Sequence, residues 1–360
     1  MTLKPNSFVP APADIRQGLT GLSAPDLVML LRQCLELRGY DHAIAIVEAL
    51  PEPLRSEPSI RVCEAVARFV AGQRDLAARL LDEVLSRAPD NLVVREVRGE
   101  MLLRGGRRQE ALAELAWVAE RYPDYPGLQG VLSTLLMPGP HYREVLVAIH
   151  ERLRPRTYLE IGIETGATLS LARSAEIAIG VDPAQYPLEH ELPAGARIFR
   201  VESDAFFAAH SASELLASRP LDLAFIDGMH LFEYALRDFA NCESWCGPES
   251  TIVLHDCLPI LRVAAERERK TRFWVGDTWK AIVAIARRRP DLHIRTVLAP
   301  PSGLVVIRRL DPSSTLLAAE FEQIIAMLRE DRYTREPGEW PEEFQVVPNT
   351  PAGLAEALGS

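Results

Sequence analysis

From Ala24 to about Leu136 apolar residues recur at intervals of three and four, the period of helices with one buried face, and prolines punctuate the segments. The stretch MPGPHY at Met137–Tyr142, with two prolines and a glycine in six residues, predicts a linker. Beyond it the pattern changes. YREVLVAIHERL reads as a helix, and after it come short apolar runs, TYLEIGI, IAIGVD, ARIFRVES, LDLAFID, TIVLHD, IRTVL and GLVVIRR, most of them separated by helical stretches. ATLSLARS, following the first run, is read as one such helix. Strands alternating with helices predict an α/β domain built on a mostly parallel sheet, here of seven strands, with helices on both faces. After Asp311 one good helix, LLAAEFEQIIAMLRE, precedes a Pro/Glu-rich end with little to pack. The expected organisation is an extension at 1–23, an all-α domain at 24–138, the α/β domain at 139–311, and a helix and tail at 312–360.

The helical part repeats. GYDHAIAIVEAL, GQRDLAARLLDEVL and GRRQEALAELAWVA place Ala43, Ala77 and Ala111 at intervals of 34 residues, each shortly after a glycine at Gly39, Gly72 or Gly106. The glycines end one helix, and the alanines sit early in the next, where a small side chain lets two helices approach. Pro89 and Pro123 then close the second helix. This pattern resembles the tetratricopeptide repeat, whose helical hairpins stack into a solenoid and offer surfaces for a protein partner or for self-association. An irregular helical bundle is the plainer alternative.

Charge narrows the function. Forty Lys plus Arg stand against fifty Asp plus Glu, and neither side of residue 140 is basic, so a phosphate-backbone binder is not expected and no nucleic-acid partner is predicted. No stretch approaches the roughly twenty apolar residues of a membrane span, and the N-terminus lacks the apolar core of a signal peptide, which suggests a cytoplasmic protein. Five cysteines, an odd number without CxxC spacing, argue against a disulfide framework or structural zinc; Cys242 and Cys246 read as small buried side chains.

Candidate chemistry collects at strand ends. The first strand runs into Glu160, Gly162 and Gly166, an ExGxxxG turn whose glycines would let backbone pass close to a ligand at the carboxyl edge of the sheet, unless the turn is mere packing. Asp182 ends the second strand, where an acid can accept the hydroxyls of a ribose. Ser203 and Asp204 follow the third, placed for an adenine amino group. Asp227 and Asp256 close LDLAFID and TIVLHD, so two carboxylates converge at the edge of the sheet, the oxygen-rich donor set that suits Mg²⁺. Simple helix N-caps are the alternative, a role Asp fills well, but two acids at adjacent strand ends count against it. His230 lies three residues past Asp227, where a neutral imidazole could take a hydroxyl proton near pH 7, though a histidine packing a helix start is the bland alternative.

Over roughly Tyr142–Leu310 these residues resemble class I S-adenosylmethionine-dependent methyltransferases. FIDGMHLFEYALRDF and IVLHDC bring the likeness closest to the macrocin and mycinamicin type of sugar O-methyltransferase. The resemblance implies a Rossmann-like fold, S-adenosylmethionine held by Glu160, Gly162, Gly166, Asp182, Ser203, Asp204 and Asp227, a divalent metal on Asp227 and Asp256, and His230 as general base. That branch carries Glu-Asp where this chain has His255-Asp256. His255 is thus either a third, softer metal ligand, which would admit Mn²⁺, Fe²⁺ or Zn²⁺, or a structural histidine. Glu233 and Tyr234 could orient His230 or line an acceptor pocket. The run Arg262–Trp274 falls where a lid or an exposed loop would lie, and Trp274, Asp277, Thr278 and Trp279 resemble a family segment of underived role.

Three functions compete. The leading one is a metal-assisted O-methyltransferase acting on a hydroxyl of a sugar, glycoconjugate or natural product, that is, a small-molecule or saccharide acceptor. A catechol-like phenol O-methyltransferase keeps the cofactor but expects an amide where Cys257 stands. The third is a non-catalytic interaction protein working through its repeats.

Overall fold

The computed structural model describes residues 18–359 apart from Pro126, so most of the expected 1–23 extension lies outside the described residues. The chain divides into two compact units at Val118/Ala119.

The first unit is helical: α1 Ala24–Glu36, α2 Tyr40–Ala49, α3 Glu52–Arg55, α4 Pro58–Val70, α5 Arg74–Arg87, α6 Leu92–Arg104 and the start of α7 Arg108–Arg121. Ser23 opens α1 with a capping box, its hydroxyl accepting from Asp26 N while the Asp26 carboxylate accepts from Ser23 N. Ala43, Ala77 and Ala111 are each the fourth residue of their helix and wholly buried, as close helix pairing requires. Ion pairs tie neighbouring helices: the buried Arg68 of α4 donates to Glu48 of α2 at 3.0 Å, and the half-buried Arg95 and Arg98 of α6 both reach Glu114 of α7 at 2.9 Å.

The second unit begins in the last residues of α7, well ahead of the Met137–Tyr142 linker. The reason is local. Glu120 accepts from Arg262 N at 3.1 Å and Asp124 from Arg272 N at 2.7 Å, so this stretch is bonded to a loop of the α/β unit. After α8 Leu128–Leu136 and α9 Tyr142–Leu153 come β1 Thr157–Ile161, β2 Ile177–Val181, β3 Arg197–Phe199, α10 Ser203–Ala209, α11 Ala212–Leu215, β4 Leu221–Ile226, α12 Phe232–Trp245, β5 Cys246–His255, α13 Trp279–Arg288, β6 His293–Val297 and β7 Leu304–Arg308. The sheet runs β3-β2-β1-β4-β5-β7-β6, parallel from β3 to β5 with β7 antiparallel to both neighbours. All five residues of β1 are buried, as a strand covered on both faces should be. The strand order reverses between β1 and β4, which opens a crevice at their carboxyl ends.

Two expectations fail locally. ATLSLARS is not an α-helix but a single 3₁₀ turn, Leu169–Leu171. Its hydroxyls bond elsewhere, Ser170 to Ala167 O and Ser174 to Pro155 O, and such bonds compete with helix. The tail, expected to pack little, is part of the core. After α14 Leu316–Ala319 and α15 Phe321–Leu328 it adds an eighth strand, β8 Val346–Val347, parallel to β6, and then α16 Pro351–Ala357. Phe344 is wholly buried, and Asn349 Nδ2 donates to Pro140 O at 2.8 Å. Among the described residues no helix is long and apolar enough to cross a membrane.

Candidate functional site

The crevice is a cavity of about 630 Å³ at the carboxyl edge of the sheet. On its β1 side Gly162 adopts φ +86°, and a Cβ there would fall 2.0 Å from Asp227 O, so only glycine lets β1 and β4 end this close together. Asp182 lines the cavity, yet its carboxylate is already engaged by the backbone. One oxygen accepts from Ile163 N and Glu164 N at 2.9 Å and the other from Ala184 N at 2.8 Å. It shapes the turn and holds the exposed Glu164 at φ +44°, facing the cavity. Glu160 is fully buried and does not line the cavity. Tyr158 Oη and Thr168 Oγ1 donate to it at 2.6 Å, and burial pushes its carboxyl up to about 8, so it positions Thr168, which does line the cavity. Gly166 is also set back, packed toward Leu188 and Leu192. Ser203 and Asp204 line the cavity, with Asp204 gripped by the Arg237 guanidinium at 2.8–3.1 Å.

Across the crevice, single ligand atoms of Asp227, His230 and Asp256 lie within 4.8 Å of one another. Strand geometry explains it: β4 and β5 are parallel neighbours in register, so both acids emerge at one edge. His230 Nε2 lies 3.3 Å from Asp227 Oδ1 and 3.1 Å from Asp256 Oδ2, while Nδ1 meets Trp274 O at 3.1 Å. His230 and Asp256 hold φ of +55° and +52°, backbone that non-glycine residues adopt at a cost, and here the surrounding contacts maintain it. His255, expected as a third metal ligand or a structural histidine, also faces both acids, its Nδ1 3.6 Å from Asp256 Oδ1. It stacks on Tyr142 at 4.0 Å, pairs through Nε2 with Ser302 Oγ at 3.2 Å, and keeps Nδ1 3.2 Å from Asp227 Oδ2. His230 converges on the same two acids, so both histidines face them. Ser302 also donates to Asp256 Oδ1. Cys257 is fully buried, with its thiol on His255 O, and takes no part in lining the cavity.

Electrostatics follow from this packing. Burial alone would lower His230 and raise Asp227, but the paired charges dominate. The histidine is pushed up to about 9 by Asp256 and Asp227, and Asp227 is held well below the usual carboxylate range by His255 and His230. Both acids thus favour a positive charge between them, on His230 or on a group that takes its proton's place.

The segment after β5 closes over this cluster, and Arg269, Arg272, Phe273 and Trp274 line the cavity. It is anchored at Asp277, which is buried, accepts from Phe232 N at 3.0 Å and pairs with Arg267 and Lys280. Glu233 grips Arg267 rather than His230, whereas Tyr234 lines the cavity. Several cavity residues escaped the sequence reading, among them Arg143, Glu164, Thr168, Tyr142 and Asp238. Tyr142 sat in what reads as a linker. Asp238 is buried within α12, Oδ1 has no partner, and burial pushes its carboxyl up to about 7. The available signal was its place on the same helical face as the buried Ala235 and Cys242, where an acid needs a reason.

Residues 159–257 match the family model described as "Methyltransferase domain". That span runs from β1 to the residue after Asp256 and so contains the crevice and both strand-end acids. Among solved structures, cofactor-bound Rv0187 from MTB is similar over 52% of this chain and 90% of that one, at 14% identity and a TM-score of 0.38. No curated protein matches the chain. The second unit carries a methyltransferase domain, and the protein is an S-adenosylmethionine-dependent methyltransferase.

Proposed function

We propose that the protein is a metal-assisted O-methyltransferase whose acceptor is a hydroxyl of a sugar, glycoconjugate or other natural product. The observation that carries this is the convergence of Asp227, His230 and Asp256 beside the cavity, two carboxylates and an imidazole that already balance their charges around a proton. The two carboxylates fit a divalent cation, Mg²⁺ being the natural occupant of such oxygens, and His230 Nε2 beside them is left to handle a proton. S-adenosylmethionine brings a sulfonium methyl with its own leaving group, and a divalent cation acidifies a hydroxyl bound to it.

The chain's own residues supply the remainder. Gly162 and the turn held by Asp182 give backbone approach on the cofactor side, with Ser203, Asp204 and the carboxyl end of β4 at Asp227 completing that edge. Asp227 and Asp256 hold positive charge beside the acceptor. His230 holds or releases a proton at Nε2, and Trp274 O fixes its ring by accepting from Nδ1 in the tautomer that leaves Nε2 free to accept. The covering segment excludes water. The helical hairpins are read as tetratricopeptide-like and as a surface for recruitment or self-association.

Transfer of labelled methyl to an accepted hydroxyl tests the site. Chelated enzyme, Asp256→Asn and His230→Gln should each lose turnover by about a hundredfold to ten-thousandfold, while cofactor affinity by calorimetry changes little. Full activity after chelation overturns the metal, and full activity of His230→Gln overturns the base.

A further inference from the structure

The covering segment Arg262–Trp274 contains five basic side chains, and the structure sorts them into two groups. Arg262 pairs with Glu336, Arg267 with Glu233 and Asp277, and Lys270 with Glu266. Arg269 and Arg272 have no carboxylate partner among the described residues, and these are the two that line the cavity. Arg269 bonds only to backbone carbonyls of its own turn, Nη2 reaching Arg272 O at 3.0 Å. A third cavity arginine, Arg143, contacts only the phenol and ring of Tyr142. All three are exposed.

Their position is on the acceptor side. Tyr142 stacks on His255, and Trp274, next in the chain but one after Arg272, bonds His230. Of the acids lining the cavity, Asp227 and Asp256 are engaged by two histidines and Ser302, Asp182 by backbone amides and Asp204 by Arg237. In a chain of net charge −10, three exposed guanidinium groups on one cavity without a carboxylate partner among the described residues are a selective arrangement.

Resting on the O-methyltransferase reading, we propose that the acceptor carries a phosphoryl group, as a sugar phosphate or nucleotide-linked sugar does, and that Arg143, Arg269 and Arg272 bind it. Guanidinium forks match phosphate oxygens pairwise, and three of them exceed what a single carboxylate would need. The aromatic faces of Tyr142, Phe273 and Trp274 then border the sugar.

Pyrophosphate is the probe, titrated into the full-length protein in EDTA so that no metal mimics the effect, with and without saturating S-adenosylhomocysteine. Expected is binding that weakens as salt rises and falls about tenfold or more in Arg269→Gln/Arg272→Gln, with cofactor affinity unchanged in that variant. Pyrophosphate bound no better than acetate, or bound equally by the variant, overturns the proposal. A loss of cofactor affinity in the variant also overturns it, by assigning the arginines to the cofactor's own carboxylate. Should the wild type fail to bind the cofactor at all, the enzyme reading falls, while pyrophosphate binding is still measured independently.

Discussion

Gly162 stands where a methyl group has no room, since its Cβ would meet the Asp227 carbonyl. Gly162→Ala should therefore force apart the ends of β1 and β4, costing about 1–3 kcal/mol of stability and weakening S-adenosylmethionine binding. Thermal unfolding and calorimetry read the two effects, and an unchanged affinity would remove this turn from the cofactor site. His150 makes a different point. It is buried against Tyr158 with neither ring nitrogen partnered, and burial pushes it down to about 4. Because the folded value lies below the unfolded one of about 6.5, both states are neutral above that pH and no penalty exists there. As pH falls from about 6.5 to 4 the unfolded chain gains a proton that the native state refuses, and up to about 3 kcal/mol of stability drains away. His150→Leu should flatten that decline relative to wild type in urea titrations at pH 7 and pH 5; parallel declines would disprove the assignment.

Elements were legible where their pattern is long. The strands from β1 to β7 announce themselves as apolar runs between helices, and the two acids at the ends of β4 and β5 follow from that alone. β8 has only two residues, too few for any period, and it is held by contacts distant in sequence: Thr296 Oγ1 donates to Phe344 O, and Leu298 N donates to Val347 O. The same limit applies inside the site. Residue types at Asp182 and His255 could be read, but not that loop amides would occupy the one or that Tyr142 and Ser302 would hold the ring of the other. Because β8 covers the outer edge of β6, removing residues 341–360 should lower the melting temperature and expose a strand edge, seen as aggregation on heating. A truncated chain melting like the full one would show the tail to be dispensable.

At the scale of the molecule, the last residues of α7 belong with the α/β unit, so a fragment beginning at Ala119 should fold and bind cofactor as the whole chain does. One beginning at Gly139 lacks Glu120 and Asp124, the anchors of the covering segment, and should retain the cofactor edge while its Trp274 segment becomes protease-sensitive. Equal protection in both fragments would deny the anchors that role. Trp274 also gives the enzyme a signal of its own. Its ring lies 5.4 Å from that of His230, whose charge depends on what sits between Asp227 and Asp256. An imidazolium beside an indole dims its emission, so a cation that displaces the proton should brighten the protein, and Trp274→Phe should abolish the change while the other four tryptophans stay constant. Occupancy of the carboxylate pair can then be followed by fluorescence, before any acceptor is known.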